Sequence, residues 1–169
     1  MLKAAGETEK VVNDELLTSE VRAWLSSRGW FPGRDIGTHA DEFIKIRLED
    51  AERHSVTLIP TANAVRFIRS YGELRLIHPV DPESGWIMDP TFGYDGDAAN
   101  IKELSFELDT ELFPVGYDAL EYGIILVDET GRFFQLHHTG GYYMGANEAD
   151  AFSRLLAGVS PADAEDYFV

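Results

Sequence analysis

Two runs of apolar residues on either side of a short polar turn constrain the fold of this chain most. Tyr122–Val127 and Arg132–His137 are separated by Asp128-Glu129-Thr130-Gly131, a spacing typical of a β-hairpin. Helical and extended patterns alternate along the rest of the chain without the regular period of βαβ units, so a parallel sheet is not favoured. The pattern therefore predicts an α+β fold with a largely antiparallel sheet.

Five segments combine helix-capping residues with apolar side chains at helical spacing. The predicted helices cover residues 18–29, 38–54, 60–72, 97–112 and 147–158. Gly72 is expected to provide a left-handed C-cap for the third helix. Short strands are predicted at residues 74–78 and 86–88, and residues 140–144 are interpreted as a strand or a loop.

The length of 169 residues corresponds to one domain. Residues 1–17 are polar and unpatterned and are interpreted as a flexible N-terminal extension, residues 18–158 as the single domain, and residues 159–169 as a short acidic C-terminal tail. The N-terminus lacks the apolar segment of an export signal, and no apolar run reaches the ~18 residues of a membrane span. Because the chain also has no cysteine, we predict a cytoplasmic protein.

Acidic residues greatly outnumber basic ones. The chain has 30 Asp and Glu against 14 Lys and Arg, a net charge of −16. Residues 95–121 hold eight of these acids and one lysine. Such a surplus repels nucleic acid and anionic membrane surfaces and favours a basic protein partner. The alternative interpretation is that the charged faces serve solubility alone.

Sequence motifs for catalysis and cofactor binding are absent. The chain has no phosphate-binding glycine motif, no His-Glu-x-x-His zinc motif and no Gly-x-Ser-x-Gly nucleophile motif. His137 and His138 are adjacent on a predicted strand, where successive side chains point to opposite faces, so they are not expected to share a metal ion. We therefore predict no catalytic residue, no metal and no cofactor, and an undetected hydrolase is the least favoured alternative.

Three glutamates recur every four residues on the predicted fourth helix, which places Glu103, Glu107 and Glu111 along one face. Like charges at this spacing destabilise a helix by roughly a few tenths of a kcal/mol per pair, and a cationic partner would reverse that effect. Partner binding and solubility both explain such a face. Tyrosines nearby are candidate anchors, since tyrosine is enriched at binding hot spots. The candidate partner-binding residues are Glu103, Glu107, Asp109, Glu111, Tyr117, Asp118, Glu121 and Tyr122.

Several short motifs, taken in order, resemble those of the third subclass of the SUKH superfamily, bacterial proteins best known as immunity proteins. They are Gly29-Trp30-Phe31-Pro32-Gly33-Arg34, Tyr71-Gly72-Glu73-Leu74, Leu112-Phe113-Pro114-Val115-Gly116, residues 126–132 and Leu155-Leu156-Ala157-Gly158. Together they span roughly residues 18–158. Glu73 is a departure, since the family usually has a second glycine there, and a positive φ at that position would make the turn unusual.

The resemblance implies a mixed central sheet flanked by helices and no catalytic activity. It also implies that the chain binds and neutralises a cognate toxin domain, commonly a nuclease, in competition between bacteria. The acidic composition agrees with this role, because a nuclease carries a basic surface for its substrate. A general protein-protein interaction or regulatory adaptor module without toxin specificity is the alternative.

Overall fold

A computed structural model describes residues 16–169 of the chain. Within this range the chain forms five α-helices, seven strands and a 3-10 helix. The helices are α1 (Ser19–Ser27), α2 (Thr38–Arg53), α3 (Ala62–Tyr71), α4 (Asp97–Leu108) and α5 (Glu148–Ala157), and the 3-10 helix is Ala164–Tyr167. The strands are β1 (Arg75–Ile77), β2 (Gly85–Ile87), β3 (Leu112–Asp118), β4 (Ile124–Asp128), β5 (Phe133–His137), β6 (Gly140–Gly145) and β7 (Ala162–Asp163). None of these helices has the length and apolar character needed to cross a membrane.

The strands of the described range form a single sheet whose spatial order follows the order along the chain. Every neighbouring pair is antiparallel, which confirms the predicted α+β class. The predicted hairpin corresponds to β4 and β5, with Leu126 opposite Phe134. Buried Asp128 closes its turn, because the carboxylate accepts hydrogen bonds from the backbone N–H groups of Thr130 (3.0 Å) and Arg132 (2.8 Å).

One face of the sheet is covered by α3 and α5. Phe67 of α3 packs edge-on against Phe133 of β5, with ring centroids 5.0 Å apart. Phe152 of α5 lies 5.8 Å from Trp86 of β2. All four rings are buried. This aromatic cluster therefore joins two helices to the middle of the sheet.

The opposite face of the sheet is covered by α4 and the 3-10 helix. Phe134 follows Phe133 in β5, so its side chain points to this second face. Its ring contacts Tyr167 of the 3-10 helix, which stacks on Tyr143 with centroids 4.1 Å apart. Leu104 of α4 lies against Gly141 of β6. Because both faces are covered, β4 is apolar from Ile124 to Val127 instead of alternating between apolar and polar residues, and only its last residue, Asp128, is polar.

The fourth helix is shorter than the sequence predicts, since α4 ends at Leu108 and not at residue 112. Asp109 ends it because its backbone is left-handed (φ 51°), a conformation that aspartate tolerates better than most residues. Residues 112–118 then form β3, which the sequence analysis does not predict. Glu111 therefore lies between α4 and β3, and the prediction of three glutamates stacked on one helix is wrong.

The end of α3 also differs from the prediction. Gly72 has φ −51°, so the left-handed cap predicted there is wrong, and the next residue, Glu73, has φ 71° instead. A β-carbon at position 72 would meet the carbonyl oxygen of Ile68 and the side chain of Ile36, so glycine is needed for close packing. The Glu73 carboxylate lies 2.7 Å from His39 Nδ1. A positive φ thus occurs at the position where the chain departs from the family motif.

Residues 159–169, interpreted from the sequence as an acidic tail, are attached to the sheet. In β7, Ala162 pairs with Tyr143 of β6, and Ala164 is fully buried. The backbone N–H of Val169 donates to the carbonyl oxygen of Glu107 (3.0 Å). Residues 1–15 of the expected flexible extension lie outside the described residues, and Leu17, its last residue, is buried.

Candidate functional site

Four of the eight candidate partner-binding residues lie on or just after α4. Glu103 and Glu107 are on the helix, Asp109 is its C-cap, and Glu111 precedes β3. The Glu111 carboxylate accepts a hydrogen bond from Lys102 Nζ at 3.0 Å. Two glutamates therefore remain stacked on the helix, and the third has its own counter-charge.

The other four candidates lie at the far end of β3. Tyr117 and Asp118 are its last residues, and Glu121 and Tyr122 belong to the turn that leads into β4. Because a strand rises ~3.3 Å per residue, roughly 20 Å separates this end of β3 from its beginning. Asp109 and Glu111 thus lie near the beginning of β3 and these four residues at its end, while Glu103 and Glu107 lie on α4.

Three aromatic rings form a partly exposed stack at the far end of β3, made of Phe92, Tyr117 and Tyr122. Phe92 and Tyr117 stack with centroids 3.9 Å apart and ring planes inclined by 27°, and the Tyr122 ring centroid lies 6.2 Å from each of theirs. Tyr122 is 60% exposed. This aromatic stack gives a partner a rigid apolar surface with hydroxyl groups, which is the character of binding hot spots.

The turn that carries Tyr122 holds it in a strained backbone conformation. Its φ is 62°, a value that bulky residues rarely adopt. The turn is fixed by Asp118, whose Oδ1 accepts hydrogen bonds from the N–H groups of Leu120 (3.0 Å) and Glu121 (2.8 Å). The carbonyl oxygen of Asp118 accepts a further bond from the N–H of Tyr122 (2.9 Å). Local strain of this kind is concentrated at functional sites.

Glu103 and Glu107 face a groove of about 260 Å³ that His137 and His138 line from the opposite side. The two imidazole rings lie 3.9 Å apart, so the expectation that they point to opposite faces is wrong. The reason is that β5 ends at His137 and His138 is in the following turn. His137 Nε2 is 3.9 Å from a carboxylate oxygen of Glu121, which connects this groove with the aromatic stack. Among the described residues, no cluster of His, Asp and Glu has the arrangement of a metal site.

A second patch, at the beginning of β3, includes a residue that the sequence analysis missed. Phe106 of α4 is 87% exposed and lines a depression of about 330 Å³. Asp109, Glu111 and Glu129 line the same depression. The signal was present in the sequence, because Phe106 is an apolar residue outside the buried stripe of its helix. Phe92 carried no comparable signal, since it lies in an irregular loop and its ring is placed by tertiary packing.

A buried ion pair fixes the loop that holds Phe92. Arg47 of α2 donates to a carboxylate oxygen of Asp97, the first residue of α4, at 2.7 Å, and both side chains are buried. The same oxygen accepts the backbone N–H of Tyr94 at 3.2 Å, and Arg47 reaches the carbonyl oxygen of Phe92 at 3.5 Å. The loop is therefore tied to two helices, which pre-organises the aromatic stack.

Close to this loop, His54 joins the end of α2 to the exposed carboxylate of Asp95. Its Nδ1 contacts the carbonyl oxygen of Asp50 at 3.0 Å, and its Nε2 contacts Asp95 at 2.9 Å. These hydrogen bonds raise the pKa of His54 above its ordinary value of 6.5, with the Asp50 carbonyl as the larger cause. The contact becomes an ion pair when the imidazole is protonated.

Comparison with known proteins identifies one family. The model of a family described as SUKH-3 immunity protein matches residues 17–158 of the chain. No curated protein and no solved structure gives a significant match. The matched range runs from Leu17 to the end of α5 and includes the aromatic stack and both ends of β3.

Proposed function

Because the chain belongs to the SUKH-3 immunity protein family, we propose that it binds and neutralises a cognate toxin domain. The toxin is a basic, nuclease-type domain delivered in competition between bacteria, and the chain acts in the cytoplasm by binding and not by catalysis. Beyond family membership, the observation that supports this proposal is the partly exposed aromatic stack beside a surface of carboxylates.

The proposed contact surface consists of the aromatic stack and the acidic side chains around it. Tyrosine anchors supply most of the binding energy in many interfaces, because they bury a large area with little loss of side-chain entropy. Carboxylates beside them attract a basic partner and increase its association rate. This surface contains Glu103, Glu107, Tyr117, Asp118, Glu121 and Tyr122.

We assign a different role to Asp109 and Glu111, since they lie about 20 Å from the aromatic stack, near the other end of β3. With Glu129 they surround the exposed ring of Phe106. A toxin that extends along α4 would place this second patch at the rim of the interface. Charged residues at the rim of an interface change the association rate more than the affinity of the complex.

The electrostatic part of the proposal is tested by the double variant Glu103→Gln/Glu107→Gln. Removing two carboxylates from the proposed surface should slow association with the toxin at low salt, and the effect should shrink as salt screens the charges. Glu42→Gln/Glu52→Gln, on the exposed side of α2, is the matched control with the same change in net charge. If both double variants slow association equally, the effect comes from total charge and not from this surface.

Affinity capture identifies the partner. The purified chain is immobilised, exposed to a lysate of its source organism at low and high salt, and the retained proteins are identified by mass spectrometry. We expect a single basic toxin-like domain that stays bound at high salt. Several unrelated partners without toxin character would contradict the proposal and favour an adaptor role.

A further inference from the structure

A groove of about 280 Å³ is lined by the β3–β4 turn and by none of the three rings of the aromatic stack. It runs between that turn, strands β5 and β6, and the end of α5. Its walls combine apolar and polar side chains, among them Leu120, Met144, Leu155, Asp118, Glu121 and Gln135. Two of the candidate partner-binding residues, Asp118 and Glu121, thus border both the turn of the aromatic stack and this groove.

The side-chain amide of Gln135 has no hydrogen-bond partner among residues 16–169, although the residue is only 7% exposed. Its amide atoms reach the solvent of the groove, where water satisfies them and a peptide group of a ligand can take the place of that water. The amide lies over Gly123, where a β-carbon would collide with it. A glycine at position 123 therefore leaves the space that this amide occupies.

The charge available in the groove is negative. Arg154 is engaged, because its Nε donates to both carboxylate oxygens of Asp150 (3.0 and 3.1 Å) and its guanidinium lies over the Tyr143 ring. Asp118 uses only Oδ1 in the turn, so Oδ2 is left to bind a ligand. The side chain of Glu121 is 64% exposed. Among the described residues that line the groove, an entering cationic group would meet two carboxylates and no unneutralised cation.

From these features we propose that the groove binds an extended peptide segment that carries an arginine or lysine side chain. The Gln135 amide, which both donates and accepts, pairs with a peptide group of the segment. Asp118 and Glu121 bind the cationic side chain, and the apolar walls hold its neighbours. The inference rests on the proposed function in one respect, since the segment is taken to belong to the toxin.

A short peptide tests the groove without the toxin. The ¹⁵N-labelled chain is titrated with acetyl-Leu-Arg-Leu-amide and followed by NMR, and acetyl-Leu-Glu-Leu-amide is the matched control. The arginine peptide should shift the side-chain NH₂ resonances of Gln135 and the backbone resonance of Glu121, and the glutamate peptide should bind at least about tenfold more weakly because its charge is repelled. Shifts confined to another surface, or equal binding of both peptides, would overturn the proposal. So would Gln135 shifts that depend on protein concentration without peptide, since a second copy would then be the occupant.

Two variants test the groove with the toxin. Gln135→Leu removes the amide at similar volume, and Gly123→Ala displaces the amide without changing its chemistry; circular dichroism and thermal unfolding check that both fold. We expect each to weaken toxin binding about tenfold or more. Glu52→Gln, far from the groove on α2, should bind normally. If wild type and both variants bind equally well, the groove proposal fails and the proposed function stands. If wild type does not bind the toxin, the proposed function fails and the peptide titration still decides the groove.

Discussion

Replacement of Tyr122 by asparagine separates a binding role from a structural one. Tyr122 adopts φ 62°, which costs a bulky residue roughly 1–2 kcal/mol and asparagine much less. Tyr122 is 60% exposed, so about 80 Å² of its surface is buried against the protein. Burial of that area stabilises the fold by about 2 kcal/mol, and the smaller asparagine side chain keeps roughly half of this stabilisation. The gain in backbone energy and the loss of packing nearly cancel. We therefore expect Tyr122→Asn to change the free energy of unfolding by less than ~1 kcal/mol.

The same replacement should weaken toxin binding strongly. Loss of a central tyrosine anchor costs about 2 kcal/mol or more in many interfaces, which corresponds to about a 30-fold loss of affinity. Urea unfolding monitored by circular dichroism measures the first effect and isothermal titration calorimetry the second. Ser55→Asn is the matched control, because Ser55 also has a positive φ (59°) but lies at the end of α2. Unchanged affinity in Tyr122→Asn, or a loss of stability above about 2 kcal/mol, would refute the binding role.

Three further predictions concern the framework that supports the site. Asp97→Asn should lower the free energy of unfolding by about 3–5 kcal/mol in urea denaturation, because it leaves the buried charge of Arg47 with only a 3.8 Å contact to the half-exposed carboxylate of Asp50, and a loss below ~1 kcal/mol would contradict this. Asp128→Ala should cost about 2–3 kcal/mol in the same assay, since the N–H groups of Thr130 and Arg132 lose their acceptor. His54→Gln should lower the melting temperature at about pH 5 and leave it unchanged at about pH 9, because a raised pKa in the folded state stabilises only below that pKa. Equal effects at both pH values would contradict the role of the protonated imidazole.

Local sequence signals were sufficient where capping and turn chemistry agree with the tertiary structure. The hairpin of β4 and β5 follows from two apolar runs and the turn at Asp128. The last helix follows from Asn147, whose side chain accepts a hydrogen bond from the N–H of Asp150 (2.9 Å), and from Gly158, which ends the helix with φ 67°. In these segments propensity, capping and burial favour the same structure.

The sequence did not predict features that depend on tertiary contacts. An apolar stripe continues from α4 to Leu112, and only the left-handed backbone at Asp109 separates the helix from β3. The Tyr117 and Tyr122 rings were candidate anchors, but their stacking on Phe92 requires a loop fixed by a buried ion pair. The sequence therefore named candidate side chains, and it did not indicate how the fold divides them between two ends of β3.

Titration of the toxin's activity with the purified chain is the most direct test of the central claim. The toxin domain identified by capture is assayed on its substrate with increasing amounts of wild type, Tyr122→Asn and Ser55→Asn. With the toxin kept well below the Kd of the wild-type complex, we expect Tyr122→Asn to need about 30-fold more protein than wild type or Ser55→Asn for half inhibition. Undiminished activity in the presence of excess wild type would contradict the immunity function, and equal half-inhibition concentrations for wild type and Tyr122→Asn would contradict the proposed surface.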